Sequence, residues 1–191
     1  MIKCLTTATC ALGLLAAPLA ADEAGDAMSH YAAEKAAEWL QSDAVIAAIN
    51  SQNARTADLS AEEIDGLDKN WRAQVGQVDA PLISSVMGNP LSVYLTNHVA
   101  EAGGLITEMF VMDAQGLNVA ASSVTSDYWQ GDEAKFQQTF GVGPQAMHVS
   151  EVELDESTQT YQAQVSLSLT DPATGNVIGA VTFGLNAQAF F

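Results

Sequence analysis

The residues best equipped for chemistry lie in "TSDYWQGDEAKF", Thr125 to Phe136, where Asp127, Asp132 and Glu133 surround Tyr128 and Trp129. Aromatic faces attract cations, and carboxylates add charge-assisted hydrogen bonds, so the pattern suits an amine or ammonium ligand. Trp129 and Tyr128 can also stack on a planar ligand, and Gly131 lets the chain turn so that Asp132 and Glu133 swing back. The same residues have a purely structural use. Asp132 or Glu133 can cap a short helix, Trp129 can plug a core edge, and Asp127 can bond to nearby backbone. A second acidic stretch, Asp155-Glu156-Ser157, precedes an alternating segment that opens with Tyr161. Asp155 can join Asp127 around a cation or serve as a polar connection. Tyr161 is either core or pocket wall, and Gln162 and Gln164 fall on a solvated or helix-facing side of the sheet.

Other chemistries fit less well. Asp127, Asp132, Glu133, Asp155 and Glu156 are hard oxygen ligands, but they lack the alternation and closing Glu of a calcium loop. His30, His98 and His148 are far apart in sequence with no neighbouring cysteine, which argues against zinc. There is no Gly-x-Ser-x-Gly, no P-loop and no glycine-rich dinucleotide turn. Asp127 and Glu133 are a conceivable acid–base pair, but nothing gives them differently tuned environments. No catalysis, cofactor or metal is expected.

These residues need elements to carry them. Met28, Tyr31, Ala32, Ala36, Trp39 and Leu40 recur at helical spacing, and Val45, Ile46 and Ile49 follow, with Ser42 and Asp43 as a cap. Ser60-Ala-Glu-Glu63 is a capping box. Asp68 and Arg72 pair across one turn. Pro81 opens another helix, Asn89-Pro90 interrupts it, and Gly103-Gly104 ends the run. The period then becomes that of strands: Ile106–Met112, a turn at Asp113–Gly116, Leu117–Ala121, a short helix from about Glu133 to Phe140, His148–Leu154, Tyr161–Leu169 and Val177–Leu185. Helices followed by antiparallel strands make an α+β domain.

Composition sets the compartment. One lysine, an apolar run and small residues up to Ala21 read as a secretory leader, which contains both cysteines, Cys4 and Cys10. The rest must fold without disulfides. Removing Lys3 leaves five basic residues against 23 acidic ones, a charge of 5 − 23 = −18. That excludes nonspecific nucleic-acid binding and argues against docking on anionic lipid. No later segment has the length of a membrane span, so a periplasmic location is expected.

Three stretches in order, "EMFVMDAQGLNVAAS", "TSDYWQGDEAKFQQTF" and "VELDESTQTYQAQVSLSLTDPATGNVIGAVTFGLN", resemble the extracytoplasmic PAS-like sensor family called Cache or PDC. The resemblance covers Leu105 to Asn186 and implies a five-stranded antiparallel sheet with long N-terminal helices packed on it. It divides the chain into a leader (1–21), a helical part (22–104) and a sheet with a ligand-covering loop (105–191). It further implies a small-molecule ligand such as an amine, an amino acid or another small metabolite. The expected contacts are Asp127, Tyr128, Trp129, Asp132, Asp155 and Tyr161, with Trp129 stacking and Asp127 and Asp155 holding a cationic or hydrogen-bonding group. Signalling members continue into a membrane span and an output domain, whereas this sequence ends at Phe191. The expectation is therefore a stand-alone sensor that presents its ligand to a partner such as a membrane receptor. The alternative is a protein–protein interaction module with no small ligand, which docks a partner or forms a homodimer through Met28, Tyr31 and Trp39 of the N-terminal helix. A divalent-cation-binding acidic protein ranks third.

Overall fold

The computed structural model describes residues 17–155 and 160–191. Most of the expected leader, and Glu156 to Ser157, lie outside the described residues. Five helices come first: α1 (Ala17–Trp39), α2 (Asp43–Thr56), α3 (Ala61–Gln74), α4 (Pro81–Met87) and α5 (Pro90–Glu101). Local chemistry starts most of them. Ser42 accepts from the Val45 N–H, and Asn89 from the Ser92 N–H ahead of Pro90. Ser60 and Glu63 form the reciprocal capping box. Then come β1 (Ile106–Met112), β2 (Asn118–Ala121), α6 (Ala134–Gln137), β3 (Met147–Val149), β4 (Glu153–Asp155), β5 (Thr160–Thr170) and β6 (Val177–Asn186), with a 3-10 turn at Ala187–Phe190.

The sheet is antiparallel in the order β2-β1-β6-β5-β3, with β4 also pairing β5. It is five positions wide, because β3 and β4 share one edge of β5. The third expected strand, His148–Leu154, is thus two short strands. Ser150 divides them: its N–H donates to the Gln164 carbonyl, and its hydroxyl accepts the Gln164 N–H. The expected helix from Glu133 to Phe140 is shorter, because the Thr139 hydroxyl donates back to the Lys135 carbonyl and Gly141 to Gly143 turn the chain away.

One face of the sheet carries the main core. Met109, Val111, Ala163, Val165, Val181, Phe183 and Leu185 pack under Met28 and Ala32 of α1, Leu40 just past its end, Val45 and Ile49 of α2, and Leu91 and Leu95 of α5. The opposite face has a small cluster of Phe110, Met112, Ala121 and Ala180 against Phe136. A third cluster lies beside the sheet: Ile64 and Trp71 of α3, Ile83 and Val86 of α4, Leu117 and Tyr128. Among the described residues no helix is long and apolar enough to cross a membrane.

The expected patch on α1 is only partly exposed. Met28 is 1% exposed within the main core. Tyr31 packs edge-on to Phe190, and Trp39 stacks on His98 with ring centres 4.1 Å apart. Packing within the domain takes up Met28 wholly and Tyr31 and Trp39 in part.

Candidate ligand-binding site

The loop at 125–131 is tied down from two sides. It runs beside the start of β2, where the Asn118 N–H donates to the Tyr128 carbonyl at 3.0 Å and the Gln130 N–H to the Gly116 carbonyl at 2.8 Å. The second tie is Asp68, on the inner face of α3 and 5% exposed. Its Oδ1 accepts the N–H groups of Tyr128 at 2.9 Å and Trp129 at 3.0 Å. Its Oδ2 receives Arg72 Nη2 at 2.7 Å, as the one-turn spacing predicts. Two buried anchors complete the attachment: Trp71 Nε1 donates to the Thr125 carbonyl at 2.8 Å, and Asn118 Nδ2 to the Asp127 carbonyl at 3.0 Å.

The side chains of the loop follow from these ties. The Asp127 carboxylate receives Arg72 Nε at 2.6 Å. Trp129 donates its indole N–H to the Gln115 carbonyl at 2.8 Å and plugs the hairpin turn. Asp132 is exposed, and Glu133 pairs with Lys135 at 2.9 Å. Tyr128 turns inward, 7% exposed, stacked on Trp71 at 5.4 Å. Gly116 makes the arrangement possible: its φ is +82°, and a Cβ there would lie 2.6 Å from the Gly131 Cα.

Asp155 and Tyr161 occupy the opposite corner. The register runs from Ser168 through Ala180 and Met112 to Asn118, whereas Tyr161 lies 168 − 161 = 7 residues along β5 from Ser168. With ~3.3 Å per residue and ~4.8 Å per strand, that is roughly 25 Å from the loop. Asp155 pairs through its backbone with Thr160 in the same corner, and Tyr161 is 47% exposed. The six expected contacts therefore do not converge on one place. Asp127 with Trp129 frame the loop, Asp132 faces outward, and Tyr128 alone borders a cavity.

That cavity, about 850 Å³, lies between α2 and the α4–α5 pair. Ala44, Val45, Ala47, Ala48 and Ser51 of α2 form one wall, and Val86, Pro90, Leu91 and Tyr94 form the other. Val119 of β2 and Tyr128 also line it. The lining is mostly apolar, with a few polar groups from Ser42, Ser51, Gln52, Arg55, Thr56, Ser85 and Asn89. This volume and balance match what small-molecule sites require. Asp113 lies outside the lining residues and is 0% exposed. Its carboxylate accepts from Gln52 Nε2, the Thr56 hydroxyl and the N–H groups of Gln115 and Leu117. Burial pushes the Tyr128 hydroxyl up to about 12; Asp113 adds to the shift and Arg55 offsets part of it.

Sequence reasoning missed the α2 wall. Its only signal is a row of small residues at helical spacing, Ala44, Ala48 and Ser51, ending at Arg55. A row of that kind reads equally as close helix packing.

No protein-family profile matches this chain, and no curated protein matches it. Solved structures do. The ligand-binding domain of the Campylobacter jejuni chemoreceptor Tlp3, in complex with 4-methylisoleucine, is 10% identical with a TM-score of 0.41, over 75% of this chain and 57% of that one. The ligand-binding domain of the Pseudomonas aeruginosa amino acid chemoreceptor PctC, in complex with GABA, is 12% identical with a TM-score of 0.36, over 68% and 58%. An extracellular ligand-binding receptor from Desulfohalobium retbaense is 16% identical with a TM-score of 0.39, over 76% and 25%. This chain thus spans less than two thirds of each of these.

Proposed function

We propose that the protein is a periplasmic domain that binds a small molecule in the cavity between α2 and α4–α5 and does no chemistry on it. The observation that carries this reading is the cavity itself: about 850 Å³, apolar in body, with polar groups placed at intervals. In this reading Tyr128 touches the ligand, while Asp127 and Trp129 hold the loop that positions it. Asp132, Asp155 and Tyr161 take no part in this cavity. Residues 1–21 direct export, and the occupied form is offered to a membrane receptor. The Cache-like motifs of the sheet half support the same class of function.

Thermal shift against alkyl and aryl acids, alcohols and amines tests the proposal. A ligand at a hundred times its Kd adds ~2.7 kcal/mol, roughly 5–10 °C for a domain of this size. Ala47 is an exposed lining residue, so Ala47→Trp fills the cavity from its mouth and removes the shift. A ligand shift that survives Ala47→Trp would put binding elsewhere.

A second reading, self-association, is favoured by the sheet edge. Met147, Val149, Val152, Leu154 and Tyr161 are 37–47% exposed along β3, β4 and the start of β5. Exposed apolar edge strands invite pairing with another copy. Light scattering decides it: a monomer at high protein concentration removes this reading.

A further inference from the structure

Resting on the cavity reading above, we infer that the ligand is an amphipathic organic anion, a carboxylate on an alkyl or aryl body, with the Arg55 guanidinium as its counter-ion. The chain has 23 acidic residues against six basic ones, so a cation without an acidic partner is unusual in it. Lys35 pairs with Glu38, Lys69 with Asp65, Arg72 with Asp68 and Asp127, and Lys135 with Glu133. Among the described residues, Arg55 is the lysine or arginine that has no carboxylate partner. It sits in the last turn of α2, on the lining of the cavity. Among the described residues no aspartate or glutamate lines that cavity, and Arg55 is its one formal charge.

The local geometry prepares Arg55 for a planar anion. Its Nη1 donates to the Ser51 hydroxyl at 2.7 Å, one turn back on the same helix. That bond orients the fork and leaves its other N–H groups free for the paired oxygens of a carboxylate. Tyr128 offers a second donor. Its hydroxyl makes no hydrogen bond within the described residues, and it stays protonated through the physiological range. The apolar walls at Ala44, Ala48, Leu91 and Val119 then take the body of the ligand.

Opposing charge is nearby but spent or screened. The buried Asp113 carboxylate already accepts four hydrogen bonds. Asp43 and Asp58 flank the row in sequence, and neither lines the cavity. The remaining acids act through solvent, where the screening length is ~8 Å at physiological salt. A direct guanidinium–carboxylate contact outweighs them. This reverses the amine preference that the acidic–aromatic loop suggests on its own, because Arg72 already neutralises Asp127.

Isothermal titration with matched probes tests the inference: 3-phenylpropionate, 2-phenylethanol and 2-phenylethylamine, with octanoate as the alkyl acid. The acids are expected to bind at least ~10-fold more tightly than the alcohol or the amine. Arg55→Gln should bring 3-phenylpropionate to the level of 2-phenylethanol and leave the alcohol and the melting temperature unchanged. Arg55→Lys should restore part of the loss. Equal or better binding of the amine, or full acid affinity in Arg55→Gln, would overturn the charge assignment while the cavity reading stands. Arg55→Gln that weakens acid and alcohol alike would also overturn it. If none of the four probes binds the wild-type protein, the cavity reading fails along with it.

Discussion

Replacing Asp68 tests how the loop is held. In Asp68→Ala the N–H groups of Tyr128 and Trp129 lose their acceptor, the first of them fully buried. Each orphaned donor costs about 1–3 kcal/mol. Arg72 also loses a partner, but it is more than half exposed and keeps Asp127, so that loss adds little. The sum is roughly 3 kcal/mol, or about 6–12 °C in Tm for a domain of this size. Asp68→Asn keeps the Oδ1 acceptor and loses only the charge facing Arg72, so it should cost about 1 kcal/mol. Urea melts with unchanged slopes measure both variants. A cost below ~1 kcal/mol for Asp68→Ala would mean that the amides find other partners readily. Equal costs for the two variants would mean that the ion pair, not the amide acceptor, holds the loop. Either result refutes this account. Asp68→Ala should also weaken 3-phenylpropionate binding, since Tyr128 loses its backbone tie.

Three further outcomes follow from the geometry. Gly116→Ala should cost at least ~3 kcal/mol, because a left-handed φ is combined with overlap on the Gly131 backbone; urea melts measure it. The Tyr128 hydroxyl titrates at about 12 in the folded protein against 10.0 when free. The unfolded chain therefore releases this proton first, and stability falls by about 2 kcal/mol as pH rises from 10 to 12. Tyr128→Phe should flatten that alkaline decline in equilibrium melts; an unchanged slope would place the loss on another group. Trp71→Phe removes the bond to the Thr125 carbonyl and leaves a void, for an expected cost of about 2–3 kcal/mol, read by the same melts.

What the sequence made legible was local. Ser60 and Glu63 are three residues apart, and Asp68 and Arg72 four, so their partnerships need only one turn of helix. The alternation in β5 correctly turns Ala163, Val165 and Leu169 inward. It does not predict the exposure of Tyr161, because that depends on how little β4 covers the sheet corner. The chemistry of the loop was misleading for a related reason. Asp127 reads as a free carboxylate until α3, more than fifty residues earlier, brings Arg72 to it. The wall of Ala44, Ala48 and Ser51 carries no chemical signature either. Small side chains mark a cavity only once a second helix stands opposite at the right distance.

The cluster of α3, α4, Leu117 and Tyr128 is separate from the main core, and it supplies both the anchor of the loop and one side of the cavity. A small cluster with its own hydrogen-bonded tether is a natural unit of sub-global opening. Its amides should exchange with solvent together, and faster than those of β1 and β6. An occupied cavity would slow that exchange at Tyr128 and at the far end of α3 alike. Occupancy would then register as the closing of a local melting equilibrium rather than the swing of a hinge.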